Sequence, residues 1–351
     1  MTNTILNKAY RCRLAINTVT ILMGIIVFIN KGAYCQDVHF SQFAASPLNL
    51  NPAMTGNFDG DYRFIGNHRK QWKSVTTPYV NFSGSFDASV PIPSMAKTRV
   101  SAGLIFNNDR AGDSKMGMNA VAASFSLLKP ISKDSAHYIS CGINTGITYR
   151  SIRYESLTFD EQYDGDVFNP NIGNTEDFTN NSHSYFDLGL GLQYIFRSNQ
   201  GFKMSIGSGI SHVNKPDDGF FNEQVKIFPR LQHSLLMEIP IATKLKGLPS
   251  ISISKQGGNS EFIAGSSVQY TLSELPGRSY SLSTGLWYRA GDALIPFIGI
   301  QYNMARLGIS YDVNNSSLER ASNGRGGYEL SFSYIIKKVK SSGIKPPCPL
   351  Y

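Results

Sequence analysis

From Asp61 onward the chain is built of segments of about ten residues in which apolar side chains alternate with small or polar ones, separated by clusters of Gly, Asn, Asp, Pro and Ser. Phe186, Leu188, Leu190, Leu192, Tyr194 and Phe196 interleave with Asp187, Gly189, Gly191 and Gln193. Phe262, Ala264, Val268, Tyr270 and Leu272 interleave with Glu261, Gly265, Ser267, Gln269 and Thr271, and Tyr328, Leu330, Phe332, Tyr334 and Ile336 with Glu329, Ser331 and Ser333. Successive side chains of a strand point to opposite faces, so each segment has one face suited to lipid and one suited to an interior. Beyond Gln36 no stretch approaches the about 18 consecutive apolar residues of a spanning helix. In lipid the only other way to satisfy the backbone is a closed barrel. A soluble β-sandwich or propeller would share much of the composition, so the alternation along the chain carries the decision.

On this reading strands begin near Asp61, Pro78, Thr98, Lys115, His137, Ser184, Phe202, Arg230, Leu248, Ser260, Arg278, Ala293, Ala305 and Gly327. That makes a transmembrane antiparallel β-barrel of about 14 strands, an allowed even number. An even count puts both ends of the barrel on the periplasmic side. The connections test the count, because such barrels have short periplasmic turns and longer external loops. Ser151 to His183, Val213 to Pro229 and Asn314 to Gly326 are long and fall on one side; Arg197 to Gly201, Glu274 to Gly277 and the Asn303-Met304 turn are short and fall on the other.

Ahead of the barrel, Lys8, Arg11 and Arg13 precede an apolar run from Leu14 to Ile29, which Asn30 and Lys31 break before Gly32-Ala33-Tyr34-Cys35. This is the order of an export signal. The alternative is an N-terminal membrane anchor, since the run is long enough to span a bilayer. Tyr34 stands where a lipobox wants a small residue, so cleavage near Cys35/Gln36 without lipidation is expected. The chain then divides into a signal (1–35), a periplasmic or plug segment (36–59), the barrel (60–337) and a periplasmic tail (338–351). The second piece is not strand-like, and its Asn51-Pro52-Ala53 and Gly56 are turn chemistry. It either tucks into the periplasmic mouth as a plug or leads loosely into the first strand.

The formal net charge of +8 owes much to Lys8, Arg11, Arg13 and Lys31 in the signal and to Lys337, Lys338, Lys340 and Lys345 near the end. No basic patch is interleaved with stacking aromatics on a nucleic-acid module, which excludes DNA or RNA as a partner. Cys12 and Cys35 leave with the signal, and Cys141 and Cys348 form no disulfide framework.

Several motifs, in order along nearly the whole mature chain, resemble the PorP/SprF family. They are Gln36 to Phe43 followed by Pro47-Leu48-Asn49-Leu50-Asn51-Pro52-Ala53-Met54-Thr55-Gly56; Asn67-His68-Arg69-Lys70-Gln71-Trp72 with Pro78 opening the next strand; Ser211-His212-Val213-Asn214-Lys215-Pro216 with Phe220-Phe221 and Phe228-Pro229-Arg230; and Pro347-Cys348-Pro349. The resemblance implies an outer-membrane protein of Bacteroidetes that helps particular cargo reach, or stay on, the cell surface through the type IX secretion system. In gliding bacteria that cargo is a large adhesin. It also implies partners: a cargo protein with a C-terminal sorting domain, or a periplasmic ring lipoprotein. The Asn-Pro-Ala segment further resembles the N-terminal hatch of fatty-acid-transporter-like barrels.

Little in the chain points to chemistry. His39, His68, His137, His183, His212 and His233 are scattered without metal-ligand spacing. Ser211 and His212 are strand neighbours expected to face opposite ways, so they make a poor nucleophile and base. Asp160, Glu161, Asp164, Asp166 and Asn169 lack the order of an EF-hand. Gly189-Leu190-Gly191 and Gly207-Ser208-Gly209 lie inside strands, where they make room for a plug or for other side chains in the lumen. No catalytic residue, cofactor or metal is assigned. Partner-binding candidates are the loop aromatics Tyr154, Phe159, Tyr163, Phe168 and Phe178 among acids, which could form an interface or seal the barrel mouth.

Two functions remain open: a non-enzymatic secretion and attachment barrel, and a transporter of a hydrophobic small molecule. The inward positions are mostly Ser, Gly, Thr, Asn and Gln, which favours a plugged or wet lumen over an apolar transport pocket. The register implies that Leu190→Arg, on lipid, is costly, whereas Gln193→Ser, in the lumen, matters little.

Overall fold

The computed structural model describes residues 39–73, 77–95, 97–169, 172–173, 180–220, 225–275, 278–316 and 322–338. The signal and its cleavage point, Phe178, Phe221, and the tail with Pro347, Cys348 and Pro349 lie outside these residues.

A 3-10 turn at Phe43–Ala45, one turn of α-helix at Pro47–Leu50 and a 3-10 turn at Pro52–Met54 come first. The strands follow as β1 (Tyr62–Gln71), β2 (Tyr79–Pro91), β3 (Arg99–Ala111), β4 (Met116–Pro130), β5 (His137–Ser151), β6 (Ser182–Arg197) and β7 (Lys203–Ser211). After them come β8 (Arg230–Ala242), β9 (Leu245–Gln256), β10 (Asn259–Leu275), β11 (Arg278–Arg289), β12 (Ala293–Tyr302), β13 (Ala305–Asn314) and β14 (Arg325–Ile336). Each strand pairs antiparallel with its chain neighbours, and β1 closes on β14 with Phe64 opposite Tyr334 and Arg69 opposite Glu329. The barrel has no edge, so every spanning strand satisfies its backbone on both sides.

Every expected strand is present. The largest difference in starting point is at β9, expected from Leu248 and found from Leu245. There the tight β8–β9 hairpin carries a register shift between Pro240 and Ala242, which extends pairing into residues that break the alternation. The long connections 152–181, 212–229 and 315–324 share one end of the barrel with the starts of β2 and β4 and with the short turns 112–115, 257–258 and 290–292, while the turns 198–202, 243–244 and 303–304 lie at the other, short-turn end.

The alternation has the expected sense. Leu190, Leu192, Phe332 and Tyr334 are exposed on the outer wall, while Gln193, Glu329 and Ser331 are buried inside. Exposed tyrosines stand at two levels of the exterior, mostly on β10 to β14, with Tyr270, Tyr280, Tyr302 and Tyr334 at one level and Tyr149, Tyr288, Tyr311 and Tyr328 towards the long loops. Tyrosine suits both levels because its ring is apolar and its hydroxyl wet. Cys141 is free and exposed on the outer face of β5.

Candidate functional site

Residues 39 to 60 run down the inside of the barrel, from the long-loop end at His39 to the short-turn end at Gly60. Their contacts mark the path. Ser41 and Gln42 meet Asp312 and Glu329 near the long-loop ends of β13 and β14. Asn49 reaches Ser83 and Asn107 in mid-barrel. Thr55 reaches Ser124 and Ser126 in the lower part of β4. A Cβ on Gly60 would meet Ile335 at the foot of β14.

At the long-loop end a buried charge cluster grips this segment. Arg69 donates from Nη2 to Asp312 (2.6 Å) and lies 3.8 Å from Glu329, and both acids are almost fully buried. Arg289 binds Asp312 (3.0 Å), Glu261 (3.2 Å) and the more exposed Asp292 (2.9 Å). The segment completes the network. Ser41 Oγ accepts from Arg289 and donates to Asp312, the backbone N–H groups of Ser41 and Gln42 donate to the two Glu329 oxygens (2.7 and 2.9 Å), and the His39 carbonyl accepts from Arg69 (2.7 Å). Charges buried this deeply are tolerated because each has a partner.

Lower down, the wall makes room. Asn51 caps the Pro52–Met54 turn by accepting from the Ala53 N–H and donates to the Leu192 carbonyl (3.0 Å). A Cβ at Gly142 would land on the backbone of Pro52 and Ala53, and one at Gly191 on the Asn51 side chain. Gly207 and Gly209 face Asn51 and Leu50 in the same way. Gly56 turns the chain with φ +69°, and its N–H donates to Asp87, which also takes two bonds from Arg63 (3.0 and 2.7 Å). Glycine alone serves there, since an added Cβ would be strained in the left-handed region and would strike Ser101.

Below the charge cluster the segment leans on β4 to β7, where the Pro52–Met54 turn packs, and leaves space beside β8 to β14. On that open side lies a cavity of about 320 Å³, lined by Phe43, Leu236, Trp287, Ile295, Phe297 and Arg306 among others. A wider hollow of about 750 Å³ occupies the short-turn mouth, where Lys97, Arg99, Arg197, Lys337 and Lys338 outnumber Asp59 and Asp61. At the opposite end, the loop after β5 holds a small hairpin in which Tyr163 bridges Phe168. Asp164 Oδ1 accepts from the N–H groups of Val167 (2.9 Å) and Asp166 (3.1 Å), and these donors hold its carboxyl below the ordinary carboxylate range. The hairpin presents Tyr163, Val167 and Phe168 to solvent, while Tyr154 and Phe159 are half-buried at its base. Among the described residues no group of His, Cys, Asp and Glu could hold a metal.

A family model described as type IX secretion system membrane protein PorP/SprF matches residues 33–334. The chain belongs to that family. No curated protein matches it. Among solved structures it is similar to the toluene transporter TbuX of Ralstonia pickettii, at 9% identity and TM-score 0.50 over 83% of this chain and 92% of that one. It is also similar to the monoaromatic hydrocarbon channel CymD (8%, TM-score 0.46, 84% and 93%) and to a FadL homologue of Pseudomonas aeruginosa (9%, TM-score 0.44, 81% and 92%). At such identities the TbuX match speaks for the fold alone.

In this PorP/SprF barrel the motif residues separate by position. Asn51, Pro52, Ala53, Gly56 and Arg69 all hold the N-terminal segment, and Gln71 is buried above them. Trp72 leaves β1 with φ +57°, exposed beside Tyr79 at 6.0 Å between ring centroids. His212, Asn214, Pro216 and Phe220 rebuild the wall where β7 ends. Asn214 donates to the Phe186 carbonyl and accepts from the Leu188 N–H, replacing strand partners that β7 no longer supplies, and buried Pro216 accepts from Ile227. Phe220 is half-buried beside them.

His212 departs from the sequence reading in its reason. It lies past the end of β7 in the left-handed region (φ +56°), so strand alternation does not govern it, and its Nδ1 lies 2.9 Å from Asp187 Oδ1. Gln193 also departs: it is almost fully buried and bonded to Asn57 and Ser205, so it is a packed position and not a wet channel wall. Sequence reasoning missed the cluster of Glu261, Arg289, Asp312 and Glu329. The available signal was a set of charges at inward positions near the long-loop ends of their strands.

Proposed function

We propose that this PorP/SprF barrel acts without chemistry of its own, as an outer-membrane platform that helps secrete or hold a surface cargo protein carrying a C-terminal sorting domain, such as an adhesin. The observation that carries the reading is the lumen, threaded from end to end by the chain's own N-terminal segment and clamped by buried ion pairs. A lumen so occupied supports a role for the barrel's two ends rather than for a pore. We assign the long loops to the cell surface and the short-turn mouth, with both barrel termini, to the periplasm. Exposed Tyr163, Val167 and Phe168 among acids have the make-up of an interface core with a polar rim, which supports cargo docking there. The basic hollow at the other mouth suits an acidic surface of a periplasmic ring lipoprotein. Membrane lipid covers the outer wall between them.

The test is purification of the tagged protein from its native outer membrane in mild detergent, with mass spectrometry of what accompanies it. A stoichiometric large protein with a type IX sorting domain, or ring lipoproteins, is the expected result. A solitary barrel carrying a small hydrophobic molecule would sink the reading in favour of transport. The cavity beside the segment favours that second reading, as does the shared fold of TbuX, which is described as a toluene transporter.

A further inference from the structure

The cavity of about 320 Å³ between the N-terminal segment and the wall of β8 to β14 has no part in docking cargo, yet its lining is ordered chemically. Phe43, Leu236, Trp287, Ile295 and Phe297 make it apolar. Trp287 is fixed by a 2.8 Å bond from its indole N–H to Ser250 and by an edge-on contact with Phe297 at 5.6 Å between ring centroids. A volume at the lower end of the ligand-pocket range, about 300–1,000 Å³, with a rigid aromatic wall and polar groups supplied by serines such as Ser250, Ser310 and Ser331 is the usual form of a small-molecule site.

The charges are placed at one end. Arg63 lines the cavity but is spent on Asp87 and on the Met54 carbonyl. Arg306, near the short-turn end of β13, makes no hydrogen bond or ion pair within 4 Å among the described residues. Glu238 also lines the cavity and acts on Arg306 through space without bonding to it, and its carboxylate is held by Lys203 at 3.2 Å. A half-buried guanidinium at the edge of a partly apolar cavity, with no hydrogen bond of its own among the described residues, is under-satisfied, and an anion would relieve it. The register then sets the shape of the guest. Arg306 pairs with Gln301, and Gln301 with Ser281 on β11; from Ser281 to Trp287 the strand climbs roughly 20 Å at about 3.3 Å per residue. A compact ring cannot touch both ends, whereas an extended alkyl chain can.

We propose that this cavity binds a single-chain anionic amphiphile, with its head on Arg306 and its chain laid along Phe297 and Trp287. Such a guest would wedge the N-terminal segment against β4 to β7 from the open side. The site goes beyond the docking role, and its loss leaves that role standing, because it is read by ligand labelling and not by co-purification.

The experiment uses the full protein in native outer membranes, photolysed with a dodecanoate bearing a diazirine at its chain end, with the labelled peptides mapped by mass spectrometry. Labels are expected on inward residues of β11 and β12. They should fall about tenfold or more in Arg306→Gln, and unlabelled dodecanoate should compete far better than dodecanol. Dodecyl phosphate competing as well as dodecanoate would assign the source to phosphate-headed lipid chains, and failing to compete would assign it to free carboxylates; both support an anion site. Ala44→Trp provides a second variant, since Ala44 is exposed on the segment and lines the cavity, so the indole fills the space without disturbing the wall. It should abolish inward labelling even if Arg306→Gln fails to assemble. Labels confined to outward-facing residues, labelling unchanged in both variants, or equal competition by dodecanol would overturn the proposal.

Discussion

The wall from β4 to β7 and the wall from β8 to β14 face the same N-terminal segment and receive it differently. The first has been stripped of side chains where the segment passes: Gly142 and Gly209 bring backbone against backbone, Gly191 and Gly207 make room for the Asn51 side chain, and Ser124, Ser126 and Ser140 bond to Thr55 and the Ala53 carbonyl. The second carries Trp287, Phe297, Leu236 and Arg306, and below the charge cluster the segment stands away from them. At the long-loop end Ser41 and Gln42 bond to Asp312, Ser310 and Glu329 of this wall, and Phe43, Leu50 and Met54 pack on Ile263. The lesson is that a barrel's lumen is allotted residue by residue. A glycine admits a neighbouring chain, and a large side chain reserves space for something else.

The comparison can be broken first at the charge cluster, which ties both walls together. Arg69→Ala should cost about 3–5 kcal/mol, because Asp312 and Glu329 stay buried without their cation. Thermal unfolding in detergent reads this directly, and wild-type stability would mean that the glycine wall alone holds the segment. Leu190→Arg tests the opposite face of the filled wall and should cost about 2–4 kcal/mol at a lipid-facing midpoint. A neutral result would mean the register is inverted. Gly142→Val pushes on the backbone of Pro52 and should cost about 1–3 kcal/mol, with the segment becoming accessible to protease while the strands stay protected. The smallest contrast is between two lumen residues. Gln193→Ser loses bonds to Asn57 and Ser205 and should cost about 1 kcal/mol, whereas Ala44→Leu, facing the cavity, should stay within about 0.5 kcal/mol. If the two were equal in denaturant melts, the walls would not differ as described.

The barrel was legible because strand alternation has a period of two residues and is local. Tyr328 to Ile336 declares its two faces without reference to any other strand. Loop lengths then fixed the parity of the count. Arg69 is marked as a motif residue by resemblance, but its partners Asp312 and Glu329 are not, since they reach it only when β14 closes on β1. No local pattern encodes which inward charges meet. The path of residues 39 to 60 was equally hidden: turn chemistry at Asn51-Pro52-Ala53 rules out a strand without saying how deep the chain runs. The glycine spacing marks room for a plug or for side chains, and the segment occupies that room at Gly191, Gly207 and Gly209.

The charge cluster also orders events in the life of the chain. Ser41 is made early, yet the acids that grip it, Asp312 and Glu329, stand on the last two strands. A chain lacking β13 and β14 could pair most of its strands and still leave its beginning untethered. The grip is therefore a record that the seam between β1 and β14 has shut, and quality control that sampled a loose N-terminal segment would be sampling unfinished barrels.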